Sequence, residues 1–208
     1  LHLACDNPRS LDILKFFVET DKQLATTKAI HEEWLPLHQL CYSDTSTVAM
    51  VELLLGANAS AGDQLDAEER TPLHLAFRSK SPDAPKIVKL LLKRFPDTAR
   101  KRRSKDGWFP LHYACYYSAA VASIQSIFDA YPEAAKETDE QDHTPLQWAW
   151  SRHENKERVE QIFKSQSTLS VEQKYRAVEQ KYRDMNVRQD SLTSFHSCGT
   201  GLSFDEEE

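Results

Sequence analysis

The chain has 208 residues, 40% of them hydrophobic, with 26 basic and 32 acidic side chains and a formal charge of −6. That is the composition of one soluble domain with an appendage, and no apolar run approaches the ~20 residues that a membrane-spanning helix requires. The cysteines Cys5, Cys41, Cys115 and Cys198 form no C-x-x-C pair and read as reduced thiols of an intracellular protein, cytoplasmic or nuclear. The chain opens at Leu1 inside a repeating pattern and without an initiating Met, which predicts that further sequence precedes it.

The pattern recurs at residues 1–5, 35–41, 71–77, 109–115 and 144–150, the first copy being partial. Its phase position is occupied by His2, His38, His74, His112 and Gln147, at intervals of 36, 36, 38 and 35 residues. A period in that range predicts a stack of repeats rather than a single closed core. In four copies a proline (Pro36, Pro72, Pro110, Pro145) stands two residues before the phase position. Proline pre-sets φ and lacks only an N–H that the first turn of a helix would leave unpaired, so each opens a first helix.

A second apolar stretch follows in every copy, with i, i+3, i+4 spacing: Leu11 and Leu14; Val51, Leu54 and Leu55; Ile87, Leu90 and Leu91; Ile124, Ile127 and Phe128; Val159, Ile162 and Phe163. These predict amphipathic helices packed on the first ones. The stretches between, such as 56–70, 96–108 and 132–143, are too short and too polar for another core element and predict projecting turns or hairpins. No helix pair can bury both faces, so neighbours must cover one another. The sequence thus predicts an all-α solenoid over residues 1–165, its fifth copy a polar C-terminal cap. Beyond it lies a polar tail over 166–208, in which a duplicated heptad suggests a short helix over 170–188 and the acidic end suggests disorder.

Catalysis and cofactors find little support. Equivalent histidines of stacked helices sit roughly 8–10 Å apart, so one metal ion cannot reach two of them. Cys5, Cys41 and Cys115 share a phase with Phe77 and Trp150 and read as small core residues. No phosphate-cradling loop, nucleophile elbow or paired zinc histidines occur, and the expectation is a non-enzymatic chain without cofactor, metal or small-molecule substrate.

What remains is surface. Arg100, Lys101, Arg102, Arg103 and Lys105 place five cations in six residues, and the next loop carries Glu137, Asp139, Glu140 and Asp142. The run reads either as a basic tip for an acidic partner or as a turn attracted to its acidic neighbour. Nucleic-acid binding is disfavoured, because residues 1–165 hold 21 basic against 24 acidic side chains and no aromatic ladder accompanies the run. Trp34 and Trp108 share a phase two residues before a helix-opening proline, where Arg70 and His143 stand in other copies. They are candidates either for interface anchors or for packing against the adjacent loop.

Thr71-Pro72-Leu73-His74-Leu75-Ala76 is the hallmark T-P-L-H-x-A, and with the period and helix pattern it makes residues 1–165 resemble the ankyrin repeat family. The chain departs from that pattern at Leu35 and Phe109, which replace the threonine, at Gln147, which replaces the histidine, and in lacking the glycine between paired helices. The resemblance implies paired antiparallel helices with projecting loops, histidines that cap helices and bridge adjacent loops, and a protein-binding role without catalysis. The alternative is a recruiting segment of a larger enzyme, a kinase or ubiquitin ligase, with its catalytic part upstream.

Overall fold

A computed structural model describes residues 1–5, 10–30, 32–152 and 156–165. The heptad over 170–188, the acidic end and Cys198 lie outside the described residues. Each repeat begins with a short helix: α1 (His2–Cys5), α3 (Pro36–Tyr42), α5 (Pro72–Ala76), α7 (Pro110–Tyr116) and α9 (Pro145–Ser151). A second helix follows in each: α2 (Ser10–Thr20), α4 (Val48–Ala57), α6 (Ala84–Arg94), α8 (Val121–Ala130) and α10 (Lys156–Ser165). Among the described residues there are no strands.

The four prolines occupy the first helical turn, and the residue before each (Leu35, Thr71, Phe109, Thr144) is extended, with ψ between 158° and 165°. His74 reaches back so that its Nδ1 accepts the Thr71 backbone N–H at 3.1 Å and lies 2.9 Å from the threonine hydroxyl. Leu35 and Phe109 carry no hydroxyl, yet their backbone N–H groups still donate to His38 Nδ1 (3.1 Å) and His112 Nδ1 (3.2 Å). At Thr144 the same N–H is taken by the Gln147 side-chain oxygen. The essential cap is therefore the backbone N–H to the third side chain, and the threonine is dispensable.

First helices of four to seven residues are too short to persist alone, and tertiary packing holds them. Every residue of Pro72–Ala76 is buried. First helices stack on first helices (α1 on α3, α3 on α5, α5 on α7, α7 on α9), and second helices on second helices from α2 to α8. Ile87, Val88, Leu91 and Leu92 face inward from α6, while Lys86, Lys89, Lys93 and Arg94 are exposed. The Phe128 and Phe163 rings stack at 4.8 Å and bring α10 onto α8. Of the apolar positions expected to be core, Leu11 and Leu90 are half-buried; the others are buried.

Two local findings differ from the sequence expectations. The polar stretches after the second helices do contain a core element, a 3-10 turn over Lys22–Thr26, Ala61–Asp63, Pro96–Arg100 and Pro132–Lys136. Small residues bury there, namely Ala25, Ala61, Thr98, Ala99, Ala134 and Ala135, because a tight turn lets a methyl group reach the helix layer. Next to one of them, a Cβ on Gly62 would overlap the Phe95 ring of the following repeat, so the glycine leaves room for that ring.

The missing inter-helix glycine is replaced differently at different turns. After α7, Ser118 takes the left-handed conformation (φ 52°) that glycine would favour. Between repeats two and three the turns are laced by polar bonds. Ser79 donates to the Ser43 carbonyl (2.8 Å), the Lys80 N–H to Asp44 (2.7 Å) and Ser81 to the Ser46 carbonyl (2.6 Å).

Candidate interaction surface

Four hairpin fingers precede the helix-opening residues, and one backbone bond closes each: Ala29 N–H to Trp34 O (2.8 Å), Asp66 to Arg70 (3.0 Å), Arg103 to Trp108 (2.9 Å) and Asp139 to His143 (3.0 Å). The residue before each closing position is left-handed: Glu33, Glu69, Gly107 and Asp142, with φ of 52°, 59°, 73° and 61°. Only one of the four is glycine, so the other three hold a conformation that costs roughly 1 kcal/mol each. Adjacent fingers are joined as well. The Ala67 N–H donates to the Glu32 carbonyl (3.0 Å), Ser104 donates its N–H (2.7 Å) and its hydroxyl to the Glu69 carboxylate, and the Glu140 N–H donates to the Asp106 carbonyl (3.1 Å).

Side chains then divide the fingers into two kinds. Asp66 is buried at its finger's base, where Oδ1 accepts the N–H groups of Glu68 and Arg70 and Oδ2 accepts the Arg70 guanidinium (2.8 Å) and the indole N–H of Trp34 (2.9 Å). Asp139 repeats this arrangement. Its Oδ1 accepts the N–H groups of Gln141 and His143, and its Oδ2 accepts the indoles of Trp108 (2.9 Å) and Trp148 (2.8 Å). Burial pushes the Asp139 carboxyl upward, but these donors, the His143 N–H and Trp148 foremost, outweigh it and hold the group below its ordinary value. Trp34 and Trp108 are thus half-buried, each bonded to the next finger, with part of each ring still open to solvent.

Arg103 occupies the position that Asp66 and Asp139 fill. It is 4% exposed, and it donates to the Glu68 carbonyl (2.9 Å), to Asp106 (2.8 Å) and to the Tyr113 hydroxyl (2.6 Å). The run of cations is therefore not one exposed tip. Lys101 donates to the Asp63 carbonyl (2.9 Å), Arg102 donates to the Gly107 carbonyl (3.0 Å) and Arg100 lies over the Tyr131 ring (5.3 Å). Lys105 is exposed at the end of the finger. The ion pairs of Arg103 run to Glu68 of the preceding finger and to its own Asp106, and not to the acidic finger that follows.

With Nδ1 accepting a backbone N–H, His38, His74 and His112 carry their proton on Nε2. His38 Nε2 lies 3.2 Å from the Gln64 carbonyl and 3.3 Å from that of Arg70, and His112 Nε2 lies 3.2 Å from that of His143. His2 Nε2 lies 2.7 Å from the Trp34 carbonyl. His74 differs, because its buried Nε2 has no hydrogen-bond partner and its ring meets the edge of Tyr113 at 5.2 Å. It begins the longest interval, 38 residues, so the following finger is not in register with it. Desolvation lowers His38 and His112 to about 4 and His74 to about 3, leaving all three neutral at pH 7. Burial likewise pushes the Cys41 and Cys115 thiols far up, so neither is a reactive thiolate. Among the described residues no group of His, Cys, Asp and Glu could hold a metal ion, and no helix is long and apolar enough to cross a membrane.

A second surface lies along the C-terminal ends of the first helices, four or five residues after the phase position. Arg78 is sandwiched between Tyr42 and Tyr117, with 4.8 Å from its guanidinium to each ring centre. Tyr117 meets Tyr116 edge-on at 4.9 Å, and Tyr116 touches Trp108 (4.9 Å) and Trp148 (5.3 Å) and carries Arg152 over its face at 4.0 Å. At the other end Tyr42 packs on Trp34 at 5.4 Å. The row runs from the second repeat to the fifth, and its members are exposed or half-buried. Counting four and five residues on from His38, His74, His112 and Gln147 would have found most of it, yet the sequence reading weighed only Trp34 and Trp108.

Stacked helix pairs, hairpin fingers and T-P-L-H caps define a solenoid of ankyrin type. A family model for ankyrin repeats, in three copies, matches residues 1–102, and the chain is an ankyrin-repeat protein. Such repeats are in general protein–protein interaction modules, and the family is typically non-catalytic. A comparison with curated proteins gives no match.

Proposed function

We propose that the chain is a non-catalytic protein-binding module whose contact surface is formed by the finger ends and the first-helix faces of its stacked repeats. The observation that carries this reading is the aromatic and guanidinium row from Trp34 to Arg152, left partly open to solvent although most other large apolar side chains are buried. Aromatic and arginine side chains supply most of the binding energy of protein interfaces, and a frame fixed by finger-to-finger bonds loses little conformational freedom on binding. Lys105 and Arg100 extend the surface on the finger side; Arg103, Trp34 and Trp108 support it from within.

The test compares capture by the wild-type chain with capture by three variants: Tyr117→Ala, Lys105→Glu, and Lys89→Glu on the outer face of α6. A partner lost with Tyr117→Ala or Lys105→Glu and kept with Lys89→Glu is the expected result. Loss only with Lys89→Glu would move the contact to the second-helix layer and overturn the reading.

A further inference from the structure

The row holds two guanidinium groups in an unusual electrostatic state. The guanidinium carbons of Arg78 and Arg152 lie over tyrosine rings, and among the described residues neither group forms an ion pair with a carboxylate. Among the described residues the one hydrogen bond of the Arg78 side chain is a long one, 3.4 Å from Nη2 to the Tyr42 hydroxyl. A guanidinium stacked on a ring uses its faces and keeps its N–H edge, the edge that pairs with a carboxylate through two parallel bonds. Two such edges, on a chain whose net charge is −6, form a local site of opposite sign to the whole.

From this we infer that the row is a docking track for an extended acidic segment of a partner protein, a conclusion that rests on the binding-module reading and names its ligand chemistry. One carboxylate pairs with Arg78 and another with Arg152, and the chain between them lies over Tyr116, Tyr117 and Trp148. The geometry also sets a spacing. Arg78 lies 4.8 Å from the Tyr117 ring, that ring lies 4.9 Å from Tyr116, and Arg152 sits 4.0 Å over Tyr116, so the two guanidinium carbons are no more than about 14 Å apart. An extended peptide advances ~3.3 Å per residue, so the two acidic residues stand about four positions apart. An aromatic or proline side chain midway suits the tyrosine faces between them.

The experiment uses the whole chain and three labelled synthetic peptides: two glutamates about four positions apart with a central tyrosine, the same composition with the glutamates adjacent, and the first peptide with both glutamates changed to glutamine. Fluorescence anisotropy reads the affinities. The spaced peptide binds tightest, and its affinity falls about tenfold or more with Arg78→Gln and with Arg152→Gln, as expected for loss of a charge-assisted hydrogen bond. Arg78→Lys keeps the charge and gives an intermediate loss, while thermal melts verify that the variants fold. Equal binding of the glutamine peptide or of the adjacent-glutamate peptide overturns the proposal without recourse to any variant. Displacement of the spaced peptide by an oligothymidylate at lower concentration than by unlabelled peptide also overturns it, in favour of nucleic acid. If the peptides fail while Tyr117→Ala still abolishes capture of a protein, the acidic chemistry falls and the module reading stands; if both fail, both fall.

Discussion

The fingers at Asp66 and Asp139 and the finger at Arg103 share one backbone closure and carry opposite charges at their base. In the acidic pair the carboxylate collects two backbone N–H groups and the indole of the preceding finger's tryptophan. In the basic finger the guanidinium instead reaches back to the Glu68 carbonyl and to Tyr113, and the phase histidine beside it, His74, is left without a partner on Nε2. The backbone frame thus tolerates either sign, provided that the buried group is saturated. The two solutions are not equivalent: Asp66 and Asp139 organise their own turns, whereas Arg103 mainly stitches its finger to the neighbours.

The largest expected effect comes from acid. His38, His74 and His112 are lowered from 6.5 to about 4, 3 and 4 in the folded chain, so the unfolded chain binds more protons below pH 6.5. Stability is complete above about pH 6.5 and falls as pH drops toward 4, by roughly 2 kcal/mol per histidine between pH 7.5 and pH 5. Asp139, held below its ordinary value, adds a further loss only below about pH 4. Urea midpoints at pH 7.5, 6 and 5 measure the first range; a flat profile would mean that the histidines are solvated.

Next in size is the contrast between the two kinds of finger. Asp66→Ala strips the buried Arg70 of its closest partner and frees the Trp34 indole, at a cost of about 3–5 kcal/mol. Arg103→Met keeps the aliphatic stem and loses the stitching bonds together with the half-exposed Asp106 pair, about 1–2 kcal/mol. Equal losses in denaturant titrations would erase the distinction between an organising acid and a stitching base. Gly62→Ala, which drives a methyl group into the Phe95 ring, costs about 1–3 kcal/mol.

The smallest effect has the opposite sign. Asp142→Gly relieves a left-handed residue in an acidic finger and stabilises by about 0.5–1 kcal/mol. Gly107→Ala in the basic finger destabilises by more than that, since the added Cβ also meets Arg102 and the Glu140 N–H. Thermal melts of the two variants read both signs.

Much of the frame was legible in the sequence. The prolines at 36, 72, 110 and 145 mark helix starts because φ is fixed there, and the i, i+3, i+4 stretches found α4, α6, α8 and α10 because burial follows the helical period. The fingers were less legible. Five cations in six residues look like one patch, but the hairpin turns successive side chains in different directions, so Arg103 points inward while Lys105 points out. Aligning the copies backward from their prolines places Ser104, and not Arg103, level with Asp66 and Asp139, because the basic finger is one residue longer. The buried 3-10 turns also left a trace, Phe95-Pro96-Asp97-Thr98-Ala99 against Tyr131-Pro132-Glu133-Ala134-Ala135, which a reading based on polarity passes over. The stacking of Arg78 between tyrosines of two other repeats depends on solenoid geometry, which linear spacing does not carry.

The most direct measurement is a photo-crosslinking scan in cells, with a benzophenone amino acid placed in turn at Tyr117 on the first-helix row, Lys105 on a finger end and Lys89 on the outer face of α6. The account predicts a discrete protein adduct from Tyr117, a weaker one from Lys105 and none from Lys89. An adduct from Lys89 alone, or the same adduct from all three positions, would contradict the assignment of the binding surface to the first-helix row.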